Sequence, residues 1–298
     1  MTPNVDTPSP PSPGHIALSA CVAEVLAPKA GNVHPGADFE DTIWVEFVLS
    51  ASVCGPLLNN AAQHGVGRTI LSCVQATRRA VGTNTNLGMI LLMAPLCAVG
   101  KGERLSDGVC QVLGALGPLD AQATYEAIRL ASPGGLGRVE NDDVSGSPPD
   151  SLVAAMRLAA PRDAVARQYA TNFNDVLEII APELSAHNEP LDQAIVRVHL
   201  EQMAREPDSL IVRKCGQPEG LESQRRAADV LDAGWPSEPR SLARFAELDA
   251  WCRAKGHRRN PGTSADLVAA ALFAALRDGA VAYPLNWSAQ LNTLTHNL

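Results

Sequence analysis

Val81-Gly82-Thr83-Asn84-Thr85-Asn86-Leu87-Gly88 leads into Met89-Ile90-Leu91-Leu92-Met93-Ala94-Pro95-Leu96-Cys97-Ala98-Val99, and the run from Leu87 to Val99 carries scarcely a polar atom. A helix that is apolar on every side belongs in a protein interior. The run is shorter than the roughly 20 residues of a membrane span and contains Pro95, so it reads as a core helix. The polar residues before it open that helix. Asn and Thr side chains accept hydrogen bonds from free backbone N–H groups, and Gly82 and Gly88 allow close approach of backbone or ligand. The stretch is therefore either a well-capped start to a core helix or one wall of a pocket.

Working outward, the apolar period stays near 3.6 residues and no convincing strand alternation occurs. Helices are expected over His15–Leu26, Phe39–Ala62, Thr69–Val81, Leu152–Ala159, Ala164–Ile180, Leu191–Arg205, Leu221–Leu231, Leu242–Lys255 and Ser264–Arg277. Phe39–Ala62 leaves little polar face and is expected to be central. Asp107–Leu116 and Asp120–Ala131 are expected to pair antiparallel across Gly117-Pro118. Gly65-Val66-Gly67-Arg68-Thr69 lacks the lysine and the strand of a phosphate loop and reads as a helix break. The expected fold is all-α, a single multi-helix domain with a central buried helix layer. Residues 1–14, with five prolines from Thr2 to Gly14, are expected to be a disordered leader. Residues 15–298 form the domain, with 132–149 a long loop inserted in it.

Composition narrows the function classes. The 298 residues are 46% hydrophobic and only 4% aromatic, which suits close helix packing. A net charge of -8 argues against nucleic acid as partner. The seven cysteines are scattered without a C-x-x-C pair, as for buried thiols in a reducing cytoplasm. The expectation is a soluble cytoplasmic protein with no membrane span, whose apolar surplus is compatible with a homodimer.

Four stretches carry candidate chemistry besides the opening one. In Lys255-Gly256-His257-Arg258-Arg259-Asn260-Pro261-Gly262-Thr263-Ser264-Ala265-Asp266, basic side chains precede a helix start that resembles a capping box. A helix N-terminus with arginines beside it suits an anion. Asp208-Ser209-Leu210-Ile211-Val212-Arg213-Lys214-Cys215-Gly216 ends in a basic pair that suits either phosphate or a helix C-terminus. Lys29, Glu40 and Asp41 flank a polar loop, and carboxylates there suit Mg²⁺, which takes one or two carboxylates together with phosphate oxygens. Glu140, Asp142 and Asp143 form a rival acidic cluster in the long loop.

In this order the motifs resemble the triphosphoribosyl-dephospho-CoA synthase family. Pro28-Lys29-Ala30-Gly31 with Asp41 resembles its proline-lysine-proline-glycine loop and following aspartate. Asn84-Thr85-Asn86-Leu87-Gly88 is similar to its asparagine-threonine-histidine-lysine-glycine motif, with Asn86-Leu87 in place of the histidine-lysine pair. Asp208 through Arg213 and Gly216, and Pro261 to Leu267, resemble its two later motifs. The resemblance implies an enzyme that transfers the triphosphoribosyl part of ATP to the 2′-hydroxyl of dephospho-CoA and releases adenine. It implies Asp41 and Asp266 in metal ligation or acid–base work, with Mg²⁺ and ATP. It further implies substrate contacts from Lys29, Asn84, Thr85, Asn86, Arg213, Arg258, Arg259, Asn260 and Ser264. The departure at Asn86-Leu87 keeps two other readings open: an enzyme of the same scaffold acting on another nucleotide or phosphorylated cofactor precursor, and a non-catalytic helical binding protein.

Overall fold

The computed structural model describes residues 11–131 and 150–288. Its helices are, in chain order, α1 (Pro13–Leu26), α2 (Trp44–Leu58), α3 (Ala61–His64), α4 (Val66–Val81), α5 (Leu87–Cys97), α6 (Leu105–Gly114), α7 (Pro118–Ala131) and α8 (Leu152–Ala159). There follow α9 (Ala164–Ala170), a π-helical stretch (Asp175–Ile180), α10 (Ala181–Glu183), α11 (Leu191–Arg205), α12 (Ser209–Cys215), α13 (Gln217–Asp232), α14 (Pro239–Arg253) and α15 (Gly262–Arg277). A four-residue extended segment, Ala254–His257, precedes α15, and no sheet forms among the described residues. The all-α expectation holds.

The centre is held by α5 and α15, which pack against each other. Every residue of α5 except Gly88 is buried, as its composition requires. The sequence suggests only one buried face for α15, yet Leu267 through Leu276 are buried without interruption. Its alanines make this possible, because small side chains let helices close in from every direction. Contacts run from α1 to α2, α4 and α7 in turn, and separately from α11 to α13 and α14, while α15 touches both α1 and α11. Where α1 crosses α2, the two backbones meet at glycines: a Cβ on Gly14 would lie 2.1 Å from the Gly55 carbonyl oxygen. We expect Gly14→Ala to cost about 1–3 kcal/mol through overpacking. A lower urea midpoint with unchanged m-value would show this; an unmoved midpoint would mean the crossing yields freely.

Several expectations are corrected. The helix expected from Phe39 begins five residues later, at Trp44, because one loop carboxylate and one in its own first turn hold its start there. Asp38 Oδ1 accepts the Trp44 N–H at 2.8 Å and Glu46 Oε2 accepts the Ile43 N–H at 3.1 Å. It is also peripheral, since Ile43, Val45 and Leu49 are exposed. The expected pair of α6 and α7 does not form; α7 lies along α4 instead. Gly67 explains the choice, donating its N–H to Asp120 Oδ1 at 2.8 Å across a backbone contact that only glycine permits. The helix expected over Ala164–Ile180 breaks at Asn172 and Phe173, both at positive φ. Burial of the Phe173 ring beside Tyr169 outweighs that strain, and buried Gln168 bridges the break to Asp175 and Val176. Pro13 and Gly14, expected in the leader, open α1, where proline at the first helical position loses no hydrogen bond. Residues 1–10 of the expected leader, and the loop 132–149 with Glu140, Asp142 and Asp143, fall outside the described residues. All seven cysteines are free, and no described helix is long and apolar enough to cross a membrane.

Candidate active site

A cavity of about 1320 Å³ opens where the start of α5 faces the start of α15. Small-molecule pockets commonly enclose roughly 300–1,000 Å³, so this one has room for two substrates. One side, from α5, α7, α8 and α9, is mainly apolar, with Leu91, Ile128, Leu152 and Met156. The other is charged: Glu24 and Asp266 are set among helices, and Arg162, Arg213, Lys214, His257 and Asp41 stand around the opening.

The opening stretch forms part of this wall, but its polar atoms are largely committed to the fold. Asn84 Oδ1 accepts the Leu87 N–H at 3.1 Å and so caps α5. Thr85 Oγ1 and Ser50 Oγ share a hydrogen bond of 2.7 Å. Asn86 is buried, accepts from Thr77 Oγ1 at 3.2 Å and donates to Cys54 Sγ. Leu87 packs in the core. The start of α5 therefore brings backbone and amide groups to the cavity, and no cation.

At the opposite wall the capping-box expectation is corrected. Helix α15 begins at Gly262 without a side-chain cap of its own. Its cap comes from a distant segment: Asp208 Oδ2 accepts from Ser264 N at 2.7 Å and Ser264 Oγ at 2.8 Å. Its other oxygen caps α12 through the Leu210 and Ile211 N–H groups. One buried carboxylate thus fixes two helix starts, which frees Asp266 from any capping duty.

Asp266 lies one turn into α15 and points against the first turn of α5. A Cβ on Gly88 would fall 2.0 Å from Asp266 Oδ2, so the glycine makes the room this carboxyl occupies. Burial, together with the negative charges of Glu24, Asp208 and Asp163, pushes the Asp266 carboxyl well above the usual carboxylate range, with Arg213 opposing. A carboxyl shifted in that direction holds its proton more tightly and is suited to act as a proton donor.

Lys29 is internal and does not line the cavity. It is 0% exposed, and its Nζ donates to the Glu24 carboxylate at 2.9 Å, to the Ala27 carbonyl at 3.1 Å and to the Glu24 carbonyl. All three donors are used, and Glu24, not Lys29, lines the cavity. Three other expected contacts also lie away from it. Arg259 is clamped between Glu219 and the Trp251 ring, 4.0 Å from the ring centroid. Arg258 donates to the Lys214 carbonyl, and Ser264 is held by Asp208. Asp41, Asp266, Asn84, Thr85, Asn86, Arg213 and Asn260 do line the cavity.

Around the opening, Arg213 pairs with Asp163 at 3.2 Å while its Nε is left without a partner. Asn260 Oδ1 is likewise unpartnered. Burial, and Arg213 beside it, push the Lys214 ammonium below its usual range. Asp41 is exposed, with His257 Nδ1 at 3.4 Å. No cluster of three or more metal-ligating side chains occurs among the described residues, so any metal here would take part of its coordination from a ligand.

A model of the family described as ATP:dephospho-CoA triphosphoribosyl transferase matches residues 10–284. The chain belongs to that family. No curated protein matches. Among solved structures, one from Archaeoglobus fulgidus, named as a candidate triphosphoribosyl-dephospho-CoA synthase, superposes with a TM-score of 0.61 at 22% identity. The superposition covers 77% of this chain and 98% of that one. At such identity the likeness speaks for the fold alone. Family membership makes the chain a transferase of prosthetic-group biosynthesis with small-molecule substrates. Within this family frame, sequence reading misses Glu24 and Asp163. Glu24 sits inside an ordinary helix with no motif around it. Asp163 before Ala164-Val165-Ala166 carries the signal of a helix N-cap, and it does cap α9.

Proposed function

We propose that the cavity holds ATP and dephospho-CoA together and moves the triphosphoribosyl group of ATP to the acceptor's 2′-hydroxyl, releasing adenine. The family match over residues 10–284 carries this reading. The cavity's size and its division into charged and apolar sides support it. Arg162, Arg213, Lys214 and His257 are the groups suited to the triphosphate, since the start of α5 offers no cation. The apolar side suits the uncharged arm of the acceptor.

Breaking the bond between ribose C1′ and adenine leaves positive charge on the sugar, and adenine needs a proton to depart as a neutral base. Asp266 is the group we assign as its donor. Mg²⁺ fits the donor set in one place: Asp41 is exposed beside His257, and a carboxylate there can share Mg²⁺ with phosphate oxygens. Bound there, the ion would neutralise phosphate charge. This separates the two carboxylates that sequence reading treats as alternatives. Asp41 would hold the metal and Asp266 would handle the proton. We expect Asp41→Asn to raise the Mg²⁺ concentration for half-maximal rate about tenfold, at the lower end of what loss of a metal-site contact costs. A Mg²⁺ titration with unchanged midpoint would remove Asp41 from that role.

The deciding experiment follows free adenine from purified protein with ATP, Mg²⁺ and dephospho-CoA. Acceptor-dependent adenine release supports the reading, and its absence overturns it. Because Leu87 is buried where the family motif carries lysine, a donor with a different phosphate chain is a second reading. Faster base release from ADP or another nucleotide than from ATP would favour it. A raised melting temperature with nucleotide but no turnover would favour a binding protein. The free thiols and the use of ATP suit the cytoplasm.

A further inference from the structure

Among the described residues, Glu24 is the one deeply set carboxylate of the cavity that the assignments above leave unused. It lies in the last turn of α1, is 3% exposed and lines the cavity. Among the described residues its side-chain partner is Lys29, which the fold encloses completely. Lys29 has no substrate to meet and no solvent to reach, and every one of its donors serves the end of α1. A buried lysine is costly unless its pairing is complete. Here the completed pairing leaves one product at the cavity wall, a carboxylate with a fixed counterion behind it.

We propose that Glu24 is the base that takes the proton of the acceptor hydroxyl, with Lys29 as the positioning residue that keeps it charged and in place. The proposal rests on the transfer reaction of the preceding subsection and adds its second proton site. In the step, the acceptor O–H bond breaks and its proton passes to the Glu24 carboxylate as that oxygen bonds to ribose C1′. The C1′–N bond breaks with its electron pair going to adenine, which takes the proton of Asp266. Glu24 ends protonated and Asp266 ionised, and proton exchange with solvent after product release resets both.

Burial raises both carboxyls, but their neighbours act in opposite directions. At Glu24 the Lys29 charge and hydrogen bond oppose the rise, while at Asp266 the Glu24 charge adds to it. Unequal treatment of two neighbouring carboxyls is an arrangement acid–base catalysis uses. Asp208 and Asp163 add negative charge near Asp266 and Arg213 opposes it, while the remaining titratable groups nearby are one imidazole and two thiols. His199 on α11, close to Lys29, is held down to about 3 by burial. Cys21 on α1 is held protonated by burial. Cys54 comes from α2, and α5 brings no charged side chain.

The test measures adenine release across pH, with ATP-induced rise in melting temperature as a separate measure of binding. The wild-type protein must first release adenine; if it does not, the transfer reading falls, and the assignment of Glu24 with it. Given turnover, Glu24→Gln is expected to slow release about 10²–10⁴-fold, the usual worth of a general base, with the ATP-induced shift retained. Lys29→Met is expected to move the acid limb of the pH–rate profile upward, because Glu24 without its counterion holds its proton more tightly. Should Lys29→Met fail to fold, the double variant Glu24→Gln/Lys29→Met restores a neutral pair of similar size. It is expected to fold, bind ATP and be as slow as Glu24→Gln. Wild-type rates in Glu24→Gln or in the folded double variant, or an unmoved acid limb in folded Lys29→Met, would overturn the proposal.

Discussion

Asp266→Asn is expected to fold, bind ATP and release adenine about 10²–10⁴-fold more slowly, because it removes the proton donor and little else. The expectation includes a stability effect that separates it from damage. Asp266 has a raised pKa in the folded protein, so the folded state keeps a proton that the unfolded chain loses near pH 3.9. Stability from this group is therefore intact at low pH and declines as pH rises above about 4 toward the folded-state pKa. Asparagine has no such penalty. The variant should melt at or above the wild-type temperature at pH 8, and the gap should close as pH falls toward 4. A variant that melts lower at pH 8 would mean the carboxylate is ionised and partnered in the native protein. Full activity would remove Asp266 from the chemistry.

Gly88→Ala is the second large effect, and it acts on the same carboxyl from the other wall. The new methyl would claim the position now 2.0 Å from Asp266 Oδ2, so the carboxyl must move. Its neighbours give it little choice of direction, since α15 is buried around it and fixed at its start by Asp208. A displacement near 1 Å at a reacting group costs on the order of 10²-fold in rate. Because alanine suits a first helical turn, the fold should survive. The expected signature is a kcat lowered about a hundredfold with the KM for ATP little changed. A variant with normal kcat would show that the carboxyl swings aside without consequence.

The sequence made the fold class readable through α5, whose composition allows no surface position, and through the 3.6-residue period of its neighbours. It was less informative about centre and edge. The apolar run of α2 suggests burial, but Ile43, Val45 and Leu49 are exposed, while alanine-rich α15 is buried all round. Small residues carry a weak hydrophobic signal and a strong packing consequence, so hydropathy ranks these two helices in the wrong order. The site shows the same division. Asp266 and Arg213 were reached through motifs that resemble those of the family. Glu24 was not, because a glutamate inside a helix looks like solvated surface until its neighbours are known.

What the sequence by itself determined is an all-α chain with one wholly apolar core helix, and motifs in an order that places it with a transferase family, the family its match over residues 10–284 confirms. Local periodicity and residue order carry that information. Only the tertiary structure decided which charges face the cavity. Lys29 and Arg259 read as phosphate ligands in sequence, yet one is sealed against Glu24 and the other against Glu219 and Trp251. The reason is energetic: a buried charge must meet its partner wherever the chain supplies one, and residues 5 or 40 positions apart leave no common pattern along the sequence.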